Sequence, residues 1–311
     1  MHRAAESWTG RADGPRWHHI VRTEDQLGPG DRGSGVPVGI VGFASDEGVR
    51  RNHGRPGAAA GPSALREALG SLAILSDGPD AAVDYGDIVP GEELEHGHAE
   101  LSALVSDSAR RHPLTVVLGG GHETAYGSHC GLRAALPEGS RVGVLNIDAH
   151  YDLREAPVPT SGTPFLQICR EFSCGADYTV LGISAPNNTQ VLRDTAADLG
   201  AMVLEEDELS LLSPAQLEAF LHSRFGGLDA LHLSVDLDVL PAAIAPGVSA
   251  PAAVGVELST VRRIVRCAAA SGVLRLMDVV ELNPRYDVDG RTAKVGARLI
   301  ADACAAYRAP R

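Results

Sequence analysis

Three short stretches concentrate side chains that bind cations and activate water. GGGHE at 119–123 carries His122, NIDAHYDLR at 146–154 carries Asp148, His150 and Asp152, and SVDLDVLP at 234–241 carries Asp236 and Asp238. The alternation of Asp148 with His150, and of Asp236 with Asp238, sends both members of a pair to one side of an extended chain. The glycines before His122 let backbone approach closely. A lone aspartate at a strand end serves as a cap or turn former. Six acidic and imidazole side chains at three strand ends make a different case, because clustered carboxylates raise one another's pKa values unless a cation offsets them. Two imidazoles with four carboxylates exceed the needs of one tetrahedral zinc. A donor set rich in oxygen suits a harder ion such as Mn²⁺ and can bridge two of them. Two ions roughly 3.5 Å apart share a hydroxide formed near neutral pH. The chemistry implied is hydrolysis of a planar carbon centre or of a phosphate ester, and these residues alone do not separate the two.

The positions of the clusters depend on the elements around them. Apolar runs at 36–43, 114–120, 141–148, 178–184, 201–206, 231–238 and 274–282 read as strands buried on both faces. Between them lie helix-like stretches at 61–72, 213–225, 259–271 and 296–307, the second with Ser213 as N-cap and Pro214 at the first helical position. Strand–helix alternation with continuously apolar strands predicts a parallel sheet covered by helices on both sides, a three-layer α/β/α sandwich. Ligands of such sheets bind at the carboxyl ends of the strands, where the clusters fall. Residues 1–36, polar and rich in Gly, Pro and Arg, read as an arm or long loop. Residues 37–311 read as a single α/β domain.

Composition narrows the partners. The chain has 311 residues with 27 Lys and Arg against 40 Asp and Glu, a formal net charge of −13 that no basic run offsets. Binding to nucleic acid or an anionic membrane is disfavoured. No run of about 18 apolar residues could span a bilayer, and the N-terminus holds no signal-peptide segment. The five cysteines are odd in number and lack CxxC spacing, which suits reduced thiols in a cytoplasmic protein. The triple glycine at 119–121 is not a nucleotide fingerprint.

The blocks GGGHE, DAHYDLR, SVDLDVLP and DVVELNP, in this order, resemble the ureohydrolase family of arginases, agmatinases and formimidoylglutamases. The resemblance implies an arginase-like sandwich around a mainly parallel sheet of about eight strands, and two Mn²⁺ per subunit. His122, Asp148, Asp152 and Asp236 would hold one ion and Asp148, His150, Asp236 and Asp238 the other, with Asp148 and Asp236 bridging. Within the family the chain is most similar to the formimidoylglutamase branch. TSGTPF at 160–165 has Ser161 where arginases and agmatinases place a histidine, and similar blocks stand at 8–14, 42–62 and 281–300. That branch implies hydrolysis of N-formimidoyl-L-glutamate to L-glutamate and formamide in histidine degradation, by attack of a metal-bridging hydroxide on the amidine carbon. Asp152 would carry a proton to the leaving amine, and Glu281 would pair with the cationic amidine. Family members are often trimers or hexamers, so a homo-oligomer is expected. A related hydrolase releasing urea from a guanidino compound and a catalytically silent metal-binding relative are the alternatives.

A small substrate with two carboxylates requires local positive charge on an acidic protein. Arg50, Arg51 and Arg55 share a loop with Asn52, and Arg154 follows the metal motif. A planar guanidinium fork grips carboxylates in pairs of bonds. At least one of Arg50, Arg51 and Arg154 is expected to reach a substrate carboxylate. Asn52, Ser161, Gly162 and Thr163 complete the expected substrate contacts, and Asn187 and Asn188 read as turn formers near the mouth. His129 reads as structural; His18, His19, His53, His96 and His98 read as surface residues.

Overall fold

The computed structural model describes residues 1–5, 8–27 and 35–309; residues 6–7 and 28–34 of the expected arm, and 310–311, lie outside them. Among the described residues ten strands form one sheet: β1 His2–Arg3, β2 Val21–Thr23, β3 Val38–Phe43, β4 Ala82–Ile88, β5 Leu114–Leu118, β6 Val142–Ile147, β7 Tyr178–Ile183, β8 Met202–Glu205, β9 Ala230–Asp236 and β10 Leu274–Val280. Their order is β1-β4-β3-β5-β10-β9-β6-β7-β8, with β2 also against β4. All pairings are parallel except β1 with β4. Nine strands thus run parallel, in keeping with the mainly parallel sheet of about eight that was expected.

Side-chain alternation divides the core into two faces. Ile40, Val116 and Leu118 point to helices Gly61–Gly70, Pro214–Phe225, Leu258–Ala270 and Arg291–Ala306. Val41, Phe43 and Val117 point the other way, to helices Leu94–Arg111 and Thr124–Ala135. Helix Pro164–Phe172 covers Val144 and Val180 on that second face. Parallel strands buried on both faces carry apolar residues at successive positions, which is why β3, β5, β6, β7, β9 and β10 are visible as continuous runs. β8, expected to be buried on both faces, lies at the sheet edge with Met202 exposed and the rest of the strand half-buried. Ser213 accepts from the backbone of Gln216 and begins its helix as expected. No described helix is long and apolar enough to cross a membrane.

The expected N-terminal arm instead adds two short strands. β2 pairs with Ala82, Val83 and Asp84, and β1 with Asp87 and Ile88, so together they cover the outer edge of β4. β4 itself was not expected, because AVDYGDI interrupts its apolar pattern with Asp84, Gly86 and Asp87. Both aspartates are buried and both bind Arg66, at 2.7 Å for Asp84 and 2.6 Å for Asp87. The Trp8 indole donates to Asp84 at 2.8 Å, which accounts for part of the WTGRADG block. A guanidinium from helix Gly61–Gly70 therefore lets a strand with two acids enter the sheet. Removing it as Arg66→Met should cost about 3–5 kcal/mol, since two buried carboxylates lose their partner. Urea unfolding of variant and parent checks this; an unchanged midpoint would refute the assignment.

Candidate metal centre

β5, β10, β9 and β6 are neighbours in that order, and their carboxyl ends deliver His122, Glu281, Asp236 with Asp238, and Asp148 with His150 and Asp152. Chain crossings fill the space between β5 and β6 with the two later strands, so residues over a hundred positions apart meet in one crevice. Close approach of backbone is needed here. A Cβ on Gly120 would lie 1.8 Å from the Ser45 carbonyl oxygen, while the Glu281 N–H donates to the Gly120 carbonyl at 2.7 Å.

The two alternating motifs fold alike. The His150 N–H donates to Asp148 Oδ1 at 2.7 Å and the Asp238 N–H to Asp236 Oδ1 at 2.8 Å. The paired side chains share a side because each aspartate closes a turn over the next two residues, rather than by the strand alternation expected. His122 Nδ1 lies 3.0 Å from Asp152, 3.0 Å from Asp236 and 3.2 Å from Asp148. His150 Nδ1 lies 3.1 Å from Asp238 and 3.6 Å from Asp148. Asp148 faces His122 with Oδ2 and His150 with Oδ1. Two groups of potential ligands result, His122 with Asp148, Asp152 and Asp236, and Asp148 with His150 and Asp238. Asp148 belongs to both; Asp236 falls in the first only.

This donor set fits divalent cations. His122 Nδ1 and Asp238 Oδ1 are buried without hydrogen bonds, and among the described residues no Lys or Arg pairs with any of the four aspartates. Oxygen donors with two imidazoles suit ions of the Mn²⁺ type. The electrostatics carry the same message. Burial raises the pKa values of Asp236 and Asp238, and for Asp236 the charges of Asp238 and Asp148 raise it further. Asp152 is raised by burial and by Asp148. Burial also opposes ionisation of Asp148, but His122 and His150 outweigh it and hold that carboxyl low. His150 is pushed up to about 12, first by the charge of Asp238. Burial works against charge on His122, yet Asp148, Asp152 and Asp236 raise it.

Residues with no legible role frame these ligands. Ser234 Oγ lies 2.9 Å from His122 Nε2 and donates to Asp278, which also binds His232 at 2.7 Å. This fixes the ring of His122 with Nδ1 toward the carboxylates. His129, expected to be structural, is buried 3.3 Å from His232. Asn146 donates to Asp148 Oδ2 at 3.0 Å, and the Phe165 ring packs edge-on against His122. Glu281 accepts from the His122 N–H at 2.9 Å through Oε1, while Oε2 has no partner. Burial, then the charges of Glu123 and Asp238, raise its pKa.

Above the cluster lies a cleft of about 320 Å³ lined by His150, Asp152, Arg154, Ser161, Asn52 and Arg55, among others. Arg50 and Arg51, expected to contact substrate, do not line it. Glu47 binds Arg50 through two hydrogen bonds, and Arg51 is held by Glu47, Glu95 and two carbonyl groups. Their helix, Glu47–Arg51, turns both guanidinium groups toward these acids. Asn52 does line the cleft and donates to Ser161 Oγ at 3.2 Å. Thr163 does not, because its hydroxyl is bound within the turn to Thr160 and Gln167. Gly162 leaves room for Arg154, whose Cδ would lie 2.7 Å from a Cβ there. The Arg154 guanidinium makes no hydrogen bond or ion pair among the described residues. Asn188 lines the cleft, anchored to the carbonyls of Ala149 and Ser184, whereas Asn187 is exposed outside it. Of the histidines expected at the surface, His53 is exposed at the mouth and His98 is buried against Phe43 and Tyr126.

The sequence profile of the arginase family matches residues 36–306. A formimidoylglutamase of Nocardia farcinica is 48% identical over 306 residues, covering 96% of each chain, and one of Klebsiella pneumoniae is 44% identical over 309 residues, covering 95% of each. Among solved structures, a Trypanosoma cruzi formiminoglutamase with Mn²⁺ is 28% identical, with a TM-score of 0.79 over 87% of this chain and 93% of that one. A formimidoylglutamase of Bacillus subtilis shares the fold at 21% identity, with a TM-score of 0.85 over 98% and 95%.

The raised acids fix how stability depends on pH. Asp152, Asp236 and Asp238 keep protons in the cation-free folded chain that the unfolded chain loses near 3.8, so stability is lost as pH rises above that value. His150 adds stability that is complete below 6.5 and is lost as pH rises toward 12. The lowered Asp148 acts oppositely, but its contribution is complete above 3.8. The melting temperature of chelated protein should therefore fall from pH 5 to pH 8, and the rise on adding Mn²⁺ should grow. Asp236→Ala should weaken Mn²⁺ binding at least tenfold by calorimetry. A pH-independent rise, or unaltered affinity, would count against a cation site.

Proposed function

The chain belongs to the arginase family, and from that premise we propose that it hydrolyses N-formimidoyl-L-glutamate to L-glutamate and formamide. The observation that carries this reading is the likeness to formimidoylglutamases over nearly the whole length of both chains. The chemistry of the cleft supports it: carboxylates at the floor suit a cationic amidine, and arginines at the rim suit an acidic tail. The reading brings with it a cytoplasmic homo-oligomer with two Mn²⁺ per subunit.

One ion would be held by His122, Asp148, Asp152 and Asp236, and the second by Asp148, His150 and Asp238 with Asp236 shared. When bound, such ions supply the charge that offsets the carboxylates and the acidity that makes water nucleophilic near neutral pH. The rest falls to the side chains. Glu281 offers the unpartnered Oε2 to the protonated amidine, which presents its carbon to water. Addition of water forms a carbon–oxygen bond, and collapse breaks the bond between that carbon and the glutamate nitrogen. The departing nitrogen needs a proton. Asp152 lines the cleft beside the other ligands, where its carboxylate takes up the proton released by water and passes it on. Ser161, held by Asn52, offers a hydrogen bond but no base. Asn52, Arg154 and the backbone at Gly162 orient the remainder of the substrate.

Purified protein with Mn²⁺ should release formamide from N-formimidoyl-L-glutamate and little urea from arginine or agmatine. Asp152→Asn should lower kcat by about 10²-fold or more, while Arg154→Ala should raise KM with Mn²⁺ affinity kept. Faster urea release from a guanidino compound would replace this reading with the other branch of the family.

A further inference from the structure

Arg55 stands four residues beyond Arg51, yet it is placed quite differently. After helix Glu47–Arg51 the chain reverses at His53, whose φ is 60°. The Arg55 N–H donates to Ser249 Oγ at 2.9 Å, and its carbonyl accepts from Asn283 Nδ2 at 2.8 Å. The backbone is thus tied to the loop before Ala250 and to the segment that follows Glu281. The side chain is held as firmly. Nε donates to the Ser249 carbonyl at 2.8 Å, Nη2 donates to the Val248 carbonyl, and the Tyr286 ring lies under the guanidinium with Cζ 3.9 Å from its centroid.

None of these partners is charged. Arg50, Arg51 and Arg66 are each neutralised by carboxylates, whereas Arg55 pairs with no Asp or Glu among the described residues. Two of its five N–H groups are used, and three remain on a half-buried fork that lines the same cleft as Asp238 and Glu281. Carbonyl and aromatic contacts orient a guanidinium without cancelling its charge. A fork ordered in advance loses little entropy when an anion arrives.

We propose that Arg55 is a specificity-determining residue that binds one carboxylate of the substrate. Arg154, lying on Gly162 beside Asn52 and with no partner among the described residues, takes the other. The inference rests on the proposed hydrolysis of an N-formimidoyl dicarboxylate, and it makes the enzyme selective for amidines that carry two acids. A clamp for the loop before Ala250 would explain the carbonyl bonds alone, but not a charge left uncompensated against the cleft.

The test compares three substrates: N-formimidoyl-L-glutamate, N-formimidoyl-4-aminobutyrate without the α-carboxylate, and N-formimidoyl-L-2-aminobutyrate without the γ-carboxylate. The parent should favour the dicarboxylate at least tenfold in kcat/KM over either analogue. Arg55→Met should abolish that preference against one analogue and keep it against the other; Arg55→Lys, a milder change, should reduce it partway. An equal loss with all three substrates would show a loop clamp and overturn the proposal. Calorimetric binding of L-glutamate gives a readout independent of turnover, and Arg55→Met should weaken it at least tenfold. If the parent turns over none of the substrates, the proposed reaction fails, while unaltered glutamate binding would still overturn the role of Arg55.

Discussion

Mutual repulsion among buried carboxylates is the constraint around which this molecule is arranged. Asp148, Asp236 and Asp238 are almost wholly buried and Asp152 nearly so, with two imidazoles as the nearest positive groups. A protein interior does not hold such a set at low cost unless positive charge is supplied. The scaffold meets part of the demand by orientation. Asp148 and Asp236 each spend one oxygen on a backbone N–H two residues on, and Asn146 steadies the other oxygen of Asp148. What is left, two imidazole nitrogens facing carboxylate oxygens at about 3 Å, is a set of donors suited to a divalent cation.

The same sheet contains an instructive contrast. Asp84 and Asp87 are as deeply buried as the ligand aspartates, but Arg66 reaches both and Trp8 and Arg3 add further bonds. That network is complete within the chain. Its role is to admit β4 and to fasten the N-terminal segment over the edge. The cluster at the carboxyl ends of β5, β9 and β6 has no such counter-charge among the described residues: Glu47 holds Arg50 and Arg51, and Arg154, two residues beyond Asp152, makes no ion pair with the aspartates. Whether a buried acid is structural or functional is decided here by where its counter-charge comes from.

This difference also explains what could be read in advance. Seven strands of the parallel sheet were legible, most of them where burial on both faces demanded continuous apolar residues, and the six ligand candidates were legible because two-residue spacing survives any turn that keeps both members on one side. β4 escaped notice because the signal for it, an arginine in the preceding helix matched to two aspartates, is a long-range pairing with no local pattern. β1 and β2 escaped because strands of two or three residues have no periodicity. Ser234, Asp278 and His232 were hidden inside strands, where polar residues at alternating positions are read as interruptions rather than as a frame for His122. Arg154 lines the cleft as expected, but Arg50 and Arg51 do not, for a geometric reason: charge and proximity in sequence are visible, whereas the short helix that turns them toward Glu47 and Glu95, and the left-handed residue at His53 that brings Arg55 to the cleft, have no local pattern.

Backbone strain follows the same division. Five described residues other than glycine have positive φ, and three of them, His53, Asp152 and Glu281, line the cleft. Aspartate tolerates this conformation moderately; glutamate has no such ease, and such positions cost about 1–3 kcal/mol each. For Glu281 the reason is visible. Its N–H is fixed to Gly120 and its carboxylate returns to the His122 N–H, so an ordinary extended residue there could not satisfy both. The strain holds one carboxylate oxygen buried and unpartnered beside the ligands. A flexible acid would reach the same place at times, but it would relax toward solvent between encounters. Held in place, it keeps the site short of positive charge, and a cationic amidine is the kind of molecule that relieves that shortage.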